Sequence, residues 1–373
     1  MNRESGVSAQ AIDLWNGQHK IVQNWYTDTL LLVARHESKG MVTGKRSAAI
    51  PRRTSMKSPS TERVTERNNP ASDSLDTKET REILTLMNRE DQKVAAAVKK
   101  VIPQITRAVD MAADAIAKGG RLIYLGTGTS GRLGVLDASE CRPTFSTDRV
   151  VGILAGGQKA MFKAGEGVED DPAAARRDLD RIGLNKKDVL VGIAASGRTP
   201  YTLEGLRYAK QKGAATVGLS ANPDSPMRGV VDVEIAVNVG PEILAGSTRL
   251  KAGTAQKLVL NMLSTATMVK LGRVFSGFMV HVEMKNEKLR ERGRSIVVKA
   301  TGVDPVTAAR TMEASGSNLP AALLMIWKGI SKKEAVRILR QQPNTALALR
   351  QARAEFLKKH SGAVRKPTSR GKS

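Results

Sequence analysis

Residues 122–132 read LIYLGTGTSGR, an apolar run that ends in three spaced glycines, two threonines, a serine and an arginine. A run of this kind followed by small polar residues predicts a short buried strand that turns into a helix. The glycines fit a G-x-G-x-x-G pattern at Gly126, Gly128 and Gly131. A dinucleotide site of that pattern also needs an acidic residue about 20 positions on, to hold a ribose. The next apolar run, VVGILAG at 150–156, ends in small residues with no acid. A Walker A loop is excluded as well, because no Lys-Ser/Thr pair follows the glycines.

A second loop of the same chemistry favours a different ligand. AASGRTPY at 194–201 repeats the Ser-Gly-Arg of the first, again after an apolar run and before a helical stretch. Two such loops, with hydroxyls, backbone N–H groups and helix N-termini, suit a single phosphate monoester. The candidate phosphate residues are Gly128, Thr129, Ser130 and Gly131 in the first loop and Ser196, Gly197 and Thr199 in the second. The small residues let the backbone approach an anion closely. Arg132 and Arg198 are candidates to pair with an anionic group of the substrate, and serve equally well as helix-surface cations.

Further out, the same rhythm recurs. Five short runs rich in Val and Ile stand at 121–126, 150–156, 188–196, 215–220 and 233–238, most of them separated by helical stretches such as 200–213. This predicts an α/β fold, a parallel sheet sandwiched by helices. Ligands of such sheets bind beyond the carboxyl ends of the strands, where the polar loops gather. Upstream, Val94, Val98, Val101, Ile105, Val109, Ala112 and Ile116 keep helical spacing, with a bend at Pro103 and a stop at Gly119–Gly120. Downstream, 252–272 reads as a long apolar helix of the core or of a subunit interface. Residues 300–341 read as about three short helices of a small separate domain.

The 373 residues suffice for two domains, and the 40% hydrophobic content is that of a globular protein. Aromatic residues make up only 3%, which weighs against a stacking platform for single-stranded nucleic acid. The formal charge is +24. Residues 1–60 hold nine Lys/Arg against four Asp/Glu, and 357–373 hold six Lys/Arg and no acid. We read 1–60 as a disordered basic leader, with a weak amphipathic segment near 20–35, and the tail from about 357 as disordered. Basic charge attracts anions generally, but no nucleic-acid-reading motif accompanies it, so nucleic acid is not an expected partner. The one cysteine, Cys141, rules out an intrachain disulfide and reads as a packed structural thiol. The four histidines are scattered, and no metal is expected. No apolar run approaches about 18 residues, so no membrane span is expected and a cytoplasmic location is.

Several longer stretches carry a resemblance. LIYLGTGTSGRLGVLDASECRPTF (122–145), GEGVEDD (165–171), VGIAASGRTPY (191–201), GSTRLKAGTAQKLVLNMLST (246–265) and NEKLRER (286–292) resemble the N-acetylmuramic acid 6-phosphate etherases, a sugar-isomerase-type (SIS) family. The resemblance spans roughly 61–350. It implies a SIS sugar-phosphate domain over 61–275, its core at about 112–275. A helical connector and a small three-helix module resembling ubiquitin-associated domains then cover 276–350, and a basic tail 351–373.

The reaction it implies removes D-lactate from C3 of a phosphorylated amino sugar by elimination and hydration, with no cofactor. By that resemblance Glu140 matches the proton donor and Glu169 the second catalytic glutamate, both expected at the phosphate rim. Glu166 and Asp137 are the neighbouring acids that compete for those roles. Lys251 is a candidate substrate contact, reaching across a dimer, in a segment whose Ser247 or Thr248 instead suits a helix cap. A homodimer is implied. The chain departs from the family pattern at Arg142, Ala245, His281, Met284 and Lys285, none of them in the two loops or the two glutamates. The alternatives are a non-catalytic SIS regulator that binds a sugar phosphate and an aldose–ketose isomerase.

Overall fold

The computed structural model describes residues 63–361 except 164 and 166. The leader expected over 1–60, its amphipathic segment, the tail beyond 361 and Glu166 lie outside the described residues. Five strands form one parallel sheet in the order β2-β1-β3-β4-β5. They are β1 Leu122–Gly126, β2 Val150–Leu154, β3 Val189–Ile193, β4 Ala215–Ser220 and β5 Val233–Ala236. Leu122 pairs with Val150 on one side and Val189 on the other, so β1 and β3 are direct neighbours at the centre. Every residue of β1 and β3 is buried, which is why these strands read as unbroken apolar runs rather than alternating ones.

Helices cover both faces. On one side Tyr124, Val191 and Ile193 pack against α1 (Thr80–Lys99), α2 (Ile102–Ala117), α3 (Gly128–Phe145) and α7 (Lys251–Lys270). A short helix α4 (Lys159–Phe162) follows β2. On the other face Ile123, Leu125 and Leu190 pack against α5 (Pro172–Arg181) and α6 (Pro200–Gln211). The bend expected at Pro103 is a break between α1 and α2: the proline sits in the first turn of α2, where its missing N–H costs no helical bond.

The C-terminal region contains α8 (Glu287–Thr301), α9 (Pro305–Ala314), α10 (Leu319–Lys328), α11 (Lys332–Gln341) and α12 (Thr345–Ser361). Asp304, Asn318 and Ser331 cap α9, α10 and α11 through their side chains, Ser331 in a reciprocal box with Glu334. The three short helices are therefore legible in the sequence, but they do not form a core of their own. Ile296 and Val297 of α8 and Leu349 and Ala352 of α12 complete it, and Phe356 packs on it. Helix α12 thus continues past 350 into residues read as tail, held by Ala352 burial and a Lys328–Glu355 ion pair. Among the described residues no helix is long and apolar enough to cross a membrane.

Candidate active site

The first loop starts where β1 ends. Gly128 opens α3 with φ +49°, and no side chain caps the helix. The first-turn amides of α3 are thereby left for a ligand. A β-carbon on Gly131 would fall 2.4 Å from the carbonyl oxygen of Gly126 and 2.6 Å from Leu154 Cδ1, so the helix can seat on the strand ends only with glycine there. Thr129 is half-buried and Ser130 is buried. The second loop follows β3. Gly197 has φ +69°, Arg198 N donates to Ser196 Oγ at 3.2 Å, and Thr199 precedes α6 without capping it. Since paired strands lie about 5 Å apart, adjacency of β1 and β3 sets the two loops side by side. The seven candidate phosphate residues therefore come together at one rim.

The two glutamates do not both lie at that rim. Glu169 does: it stands exposed in a turn, Val168–Asp170, that folds back on the end of β2, where Val168 packs on Gly156. Glu140 is exposed near the far end of α3. That helix runs down β2, with Gly131 against Leu154 at the strand's end and Val135 against mid-strand Gly152, where a β-carbon would be 2.6 Å from Val135 Cα. At 1.5 Å per residue, Glu140 is about 18 Å along the helix from Gly128, level with the start of the strands. The expectation that Glu140 shares the phosphate rim of its own chain is corrected by the length of α3.

Asp137 is a buried structural acid. It accepts from Tyr124 Oη at 3.0 Å and Ser264 Oγ at 3.2 Å, and Lys257 Nζ stands 3.8 Å away. Burial raises its pKa against these bonds. Cys141 is buried beside it, its thiol pushed up to about 12 chiefly by burial, which leaves it inert.

The three cations separate. Arg132 Nε donates to the carbonyls of Ala160 and Met161, both at 3.0 Å, so it ties α4 to α3. Arg198 is exposed on the second loop, and its side chain has no partner among the described residues. Lys251 is corrected from substrate contact to core: it is 2% exposed, and its Nζ lies 2.7 Å from Glu90 Oε2. Burial alone would raise Glu90, but hydrogen bonds from Lys251, Lys93 and Asn69 outweigh it and hold the carboxyl at about 2. Glu242, not Ser247 or Thr248, caps α7 by accepting from the amides of Lys251 and Ala252 at 3.0 and 2.9 Å.

Sequence reasoning missed a strap at 63–69 that reaches this rim. Thr65 is buried, and its carbonyl accepts from Gly246 N at 3.1 Å. Asn222, also buried, donates from Nδ2 to Thr65 Oγ1 and to the carbonyls of Ala195 and Ser196 in the second loop. Asn69 donates to Glu90 and to the Pro241 carbonyl. The readable signal was weak: the TERNN stretch has no periodicity, and its partners lie far along the chain.

The family model described as the glucokinase regulatory protein N-terminal SIS domain matches residues 104–210, and the SIS domain model matches 172–266. A phosphoheptose isomerase structure from Neisseria gonorrhoeae is similar at 14% identity and TM-score 0.40, over 51% of this chain and 98% of that one. The N-acetylmuramic acid 6-phosphate etherase of Edwardsiella ictaluri is 52% identical over 278 residues, 74% of this chain and 93% of that protein. That of Aliivibrio salmonicida is 52% identical over 274 residues, 73% of this chain and 91% of the relative. At 52% identity over more than nine-tenths of each relative, the chain belongs to the N-acetylmuramic acid 6-phosphate etherase family.

Proposed function

We infer that the protein is a carbon–oxygen lyase that cleaves the C3 lactyl ether of N-acetylmuramic acid 6-phosphate, giving N-acetylglucosamine 6-phosphate and D-lactate in amino-sugar recycling. The observation that carries this reading is the pair of phosphate loops on adjacent strands, with Glu169 on the same rim. The loops hold the 6-phosphate through Thr129, Ser130, Ser196 and Thr199 hydroxyls and the amides around Gly128, Gly131 and Gly197. The open-chain aldehyde acidifies the C2 proton. One carboxylate takes that proton as the C3–O bond breaks, and a carboxylic acid protonates the departing lactate oxygen. Water then adds across the C2–C3 double bond, its hydroxyl to C3 and its proton to C2. By family resemblance Glu140 is the donor to lactate and Glu169 the second catalytic group. Arg198, exposed on the second loop, pairs with the lactyl carboxylate or the phosphate.

Because Glu140 lies about 18 Å along α3 from its own loop, we assign the complete site to a homodimer in which it serves the partner's phosphate rim. The SIS domain over 61–275 then supplies the phosphate loops, and the helical region from 276 packs as a second body. A phosphorylated sugar of this kind is an intracellular metabolite, which supports a cytoplasmic location.

The test is D-lactate release from the phosphorylated muramic sugar, with the unphosphorylated sugar as control. Release that depends on the phosphate, and that is lost in Glu169→Ala with sugar-phosphate binding retained, supports the reading. Binding without release by the unaltered protein would instead favour a regulator. Release that persists in both Glu169→Ala and Glu140→Ala refutes the assignment of the two carboxylates.

A further inference from the structure

We propose that Glu66 is a third carboxylate of the substrate site, supplied by the same chain as the phosphate loops, and that it accepts hydrogen bonds from hydroxyl groups of the sugar. The inference rests on the etherase reading for its substrate and on the strap for its geometry. Glu66 ends a single turn, Val64–Glu66, and its side chain is exposed. Its position is nevertheless fixed on several sides. Gly246 N holds the Thr65 carbonyl at 3.1 Å, and Asn69 anchors the end of the strap to Glu90 and to the Pro241 carbonyl at 3.0 and 3.1 Å. Buried side chains are thus committed to holding an exposed one in place.

The hydrogen bonds also lead from the phosphate loop to the carboxylate. Asn222 Nδ2 donates to the Ser196 carbonyl at 3.3 Å and to Thr65 Oγ1 at 3.3 Å. Thr65 Oγ1 in turn donates to Glu66 Oε1 at 3.3 Å. The other carboxylate oxygen, Oε2, lies over Gly246: a β-carbon there would be 3.3 Å from it. Asn222 Oδ1 is buried and has no partner among the described residues, an acceptor left open beside the second phosphate loop. Two acceptors therefore stand on the strap side of the loop: the Glu66 carboxylate and the Asn222 amide oxygen.

The chemistry of the ligand follows. An ionised carboxylate only accepts hydrogen bonds, and it repels both the phosphate and the lactyl carboxylate. The groups left on an amino-sugar phosphate that can satisfy it are hydroxyls and the amide N–H. Glu66 thus reads the sugar while the loops read the phosphate. Thr65 and Asn222 are positioning residues that keep the carboxylate in register with the Ser196 loop.

The experiment compares Glu66→Ala, Glu66→Gln and Thr65→Val with the unaltered protein. In Glu66→Ala, kcat/KM for D-lactate release should fall about tenfold or more, while competitive inhibition by inorganic phosphate changes by less than about twofold. Glu66→Gln should lose kcat/KM as well, and Thr65→Val should fall between Glu66→Ala and the unaltered protein. The thermal midpoint of Glu66→Ala should stay within about 2 °C of the parent, which separates loss of a substrate contact from loss of fold. Values of kcat/KM within about twofold of the parent in both Glu66 variants overturn the proposal. If the unaltered protein releases no D-lactate, the etherase reading fails on its own. Glu66 is then judged by calorimetric binding of N-acetylglucosamine 6-phosphate: about fivefold weaker binding in Glu66→Ala upholds it, and unchanged binding overturns it.

Discussion

Lys251 Nζ stands 2.7 Å from Glu90 Oε2, with the two side chains 2% and 3% exposed. A buried pair of this kind is costly to break one partner at a time, because the remaining charge is left without compensation. Lys251→Met should destabilise the protein by about 3–5 kcal/mol in urea unfolding, and Lys251→Met with Glu90→Gln should recover part of that loss. Equal destabilisation in the single and double variants would show that packing, not charge, is what the lysine supplies. Such a loss of stability, rather than a change in KM, is the expected signature of Lys251 as a core residue.

The acid limb of stability should have two steps with different owners. His281 is pressed down from 6.5 to about 4, first by burial and second by the charge of Arg273. The unfolded chain therefore takes up a proton that the folded chain refuses. Its contribution is complete above pH 6.5 and is lost as the pH falls through 4. Glu90 is held down from 4.5 to about 2, so its contribution is complete above 4.5 and is lost as the pH falls through 2. Each shift corresponds to at most about 3.5 kcal/mol. His281→Asn should flatten the upper step and leave the lower one, when urea midpoints are followed across both ranges.

The strands were legible because central parallel strands are buried on both faces and so read as contiguous Val and Ile. The run at 215–220 coincides with β4, and the other four overshoot their strands by one to a few residues. The two strand-end loops were legible because they are local: glycine, hydroxyl and helix start are consecutive in the chain. What could not be read is what depends on distance through space. Lys251 looks like a polar residue of a rim motif until Glu90, 161 positions earlier, is seen beside it. Glu140 looks like a neighbour of the first loop because the two share a motif, but a helix converts twelve residues of sequence into a length comparable with the sheet itself. The strap at 63–69 gave no signal because its residues matter through single hydrogen bonds to remote segments.

Gly197 tests the second loop. Its φ of +69° strains any other residue, and a β-carbon there would fall 2.0 Å from Ser225 Oγ, itself bonded to the Gly197 carbonyl and Met227 N. Gly197→Ala should displace the loop, raise KM about tenfold or more and cost about 1–3 kcal/mol of stability. Gly119→Ala is the control. That residue also has positive φ, +85°, but no atom within 4 Å of an added β-carbon, and it lies away from the rim. It should lose stability through backbone strain alone and keep its KM. A KM unchanged in Gly197→Ala would remove the second loop from the phosphate site.

The assignment of Glu140 to the partner's site can be tested by mixing two inactive proteins. Glu169 stands beside the carboxyl ends of the strands of its own chain, and Glu140 stands at their opposite end. If the reaction needs both, each site takes Glu169 from one chain and Glu140 from the other. Glu140→Ala and Glu169→Ala should each be inactive alone. In a mixed dimer, one site pairs the intact Glu169 of the first variant with the intact Glu140 of the second, and the other site has neither. After unfolding and refolding together in equal amounts, random pairing makes half the dimers mixed, so about a quarter of the parental D-lactate release should return. Recovery should depend on co-refolding, not on simple addition of one folded protein to the other over a time shorter than subunit exchange. If both glutamates acted within one chain, every site in the mixture would lack one of them and no activity would return. That outcome would require α3 to leave its place on β2, where Val135 closes on Gly152, before any reaction could occur.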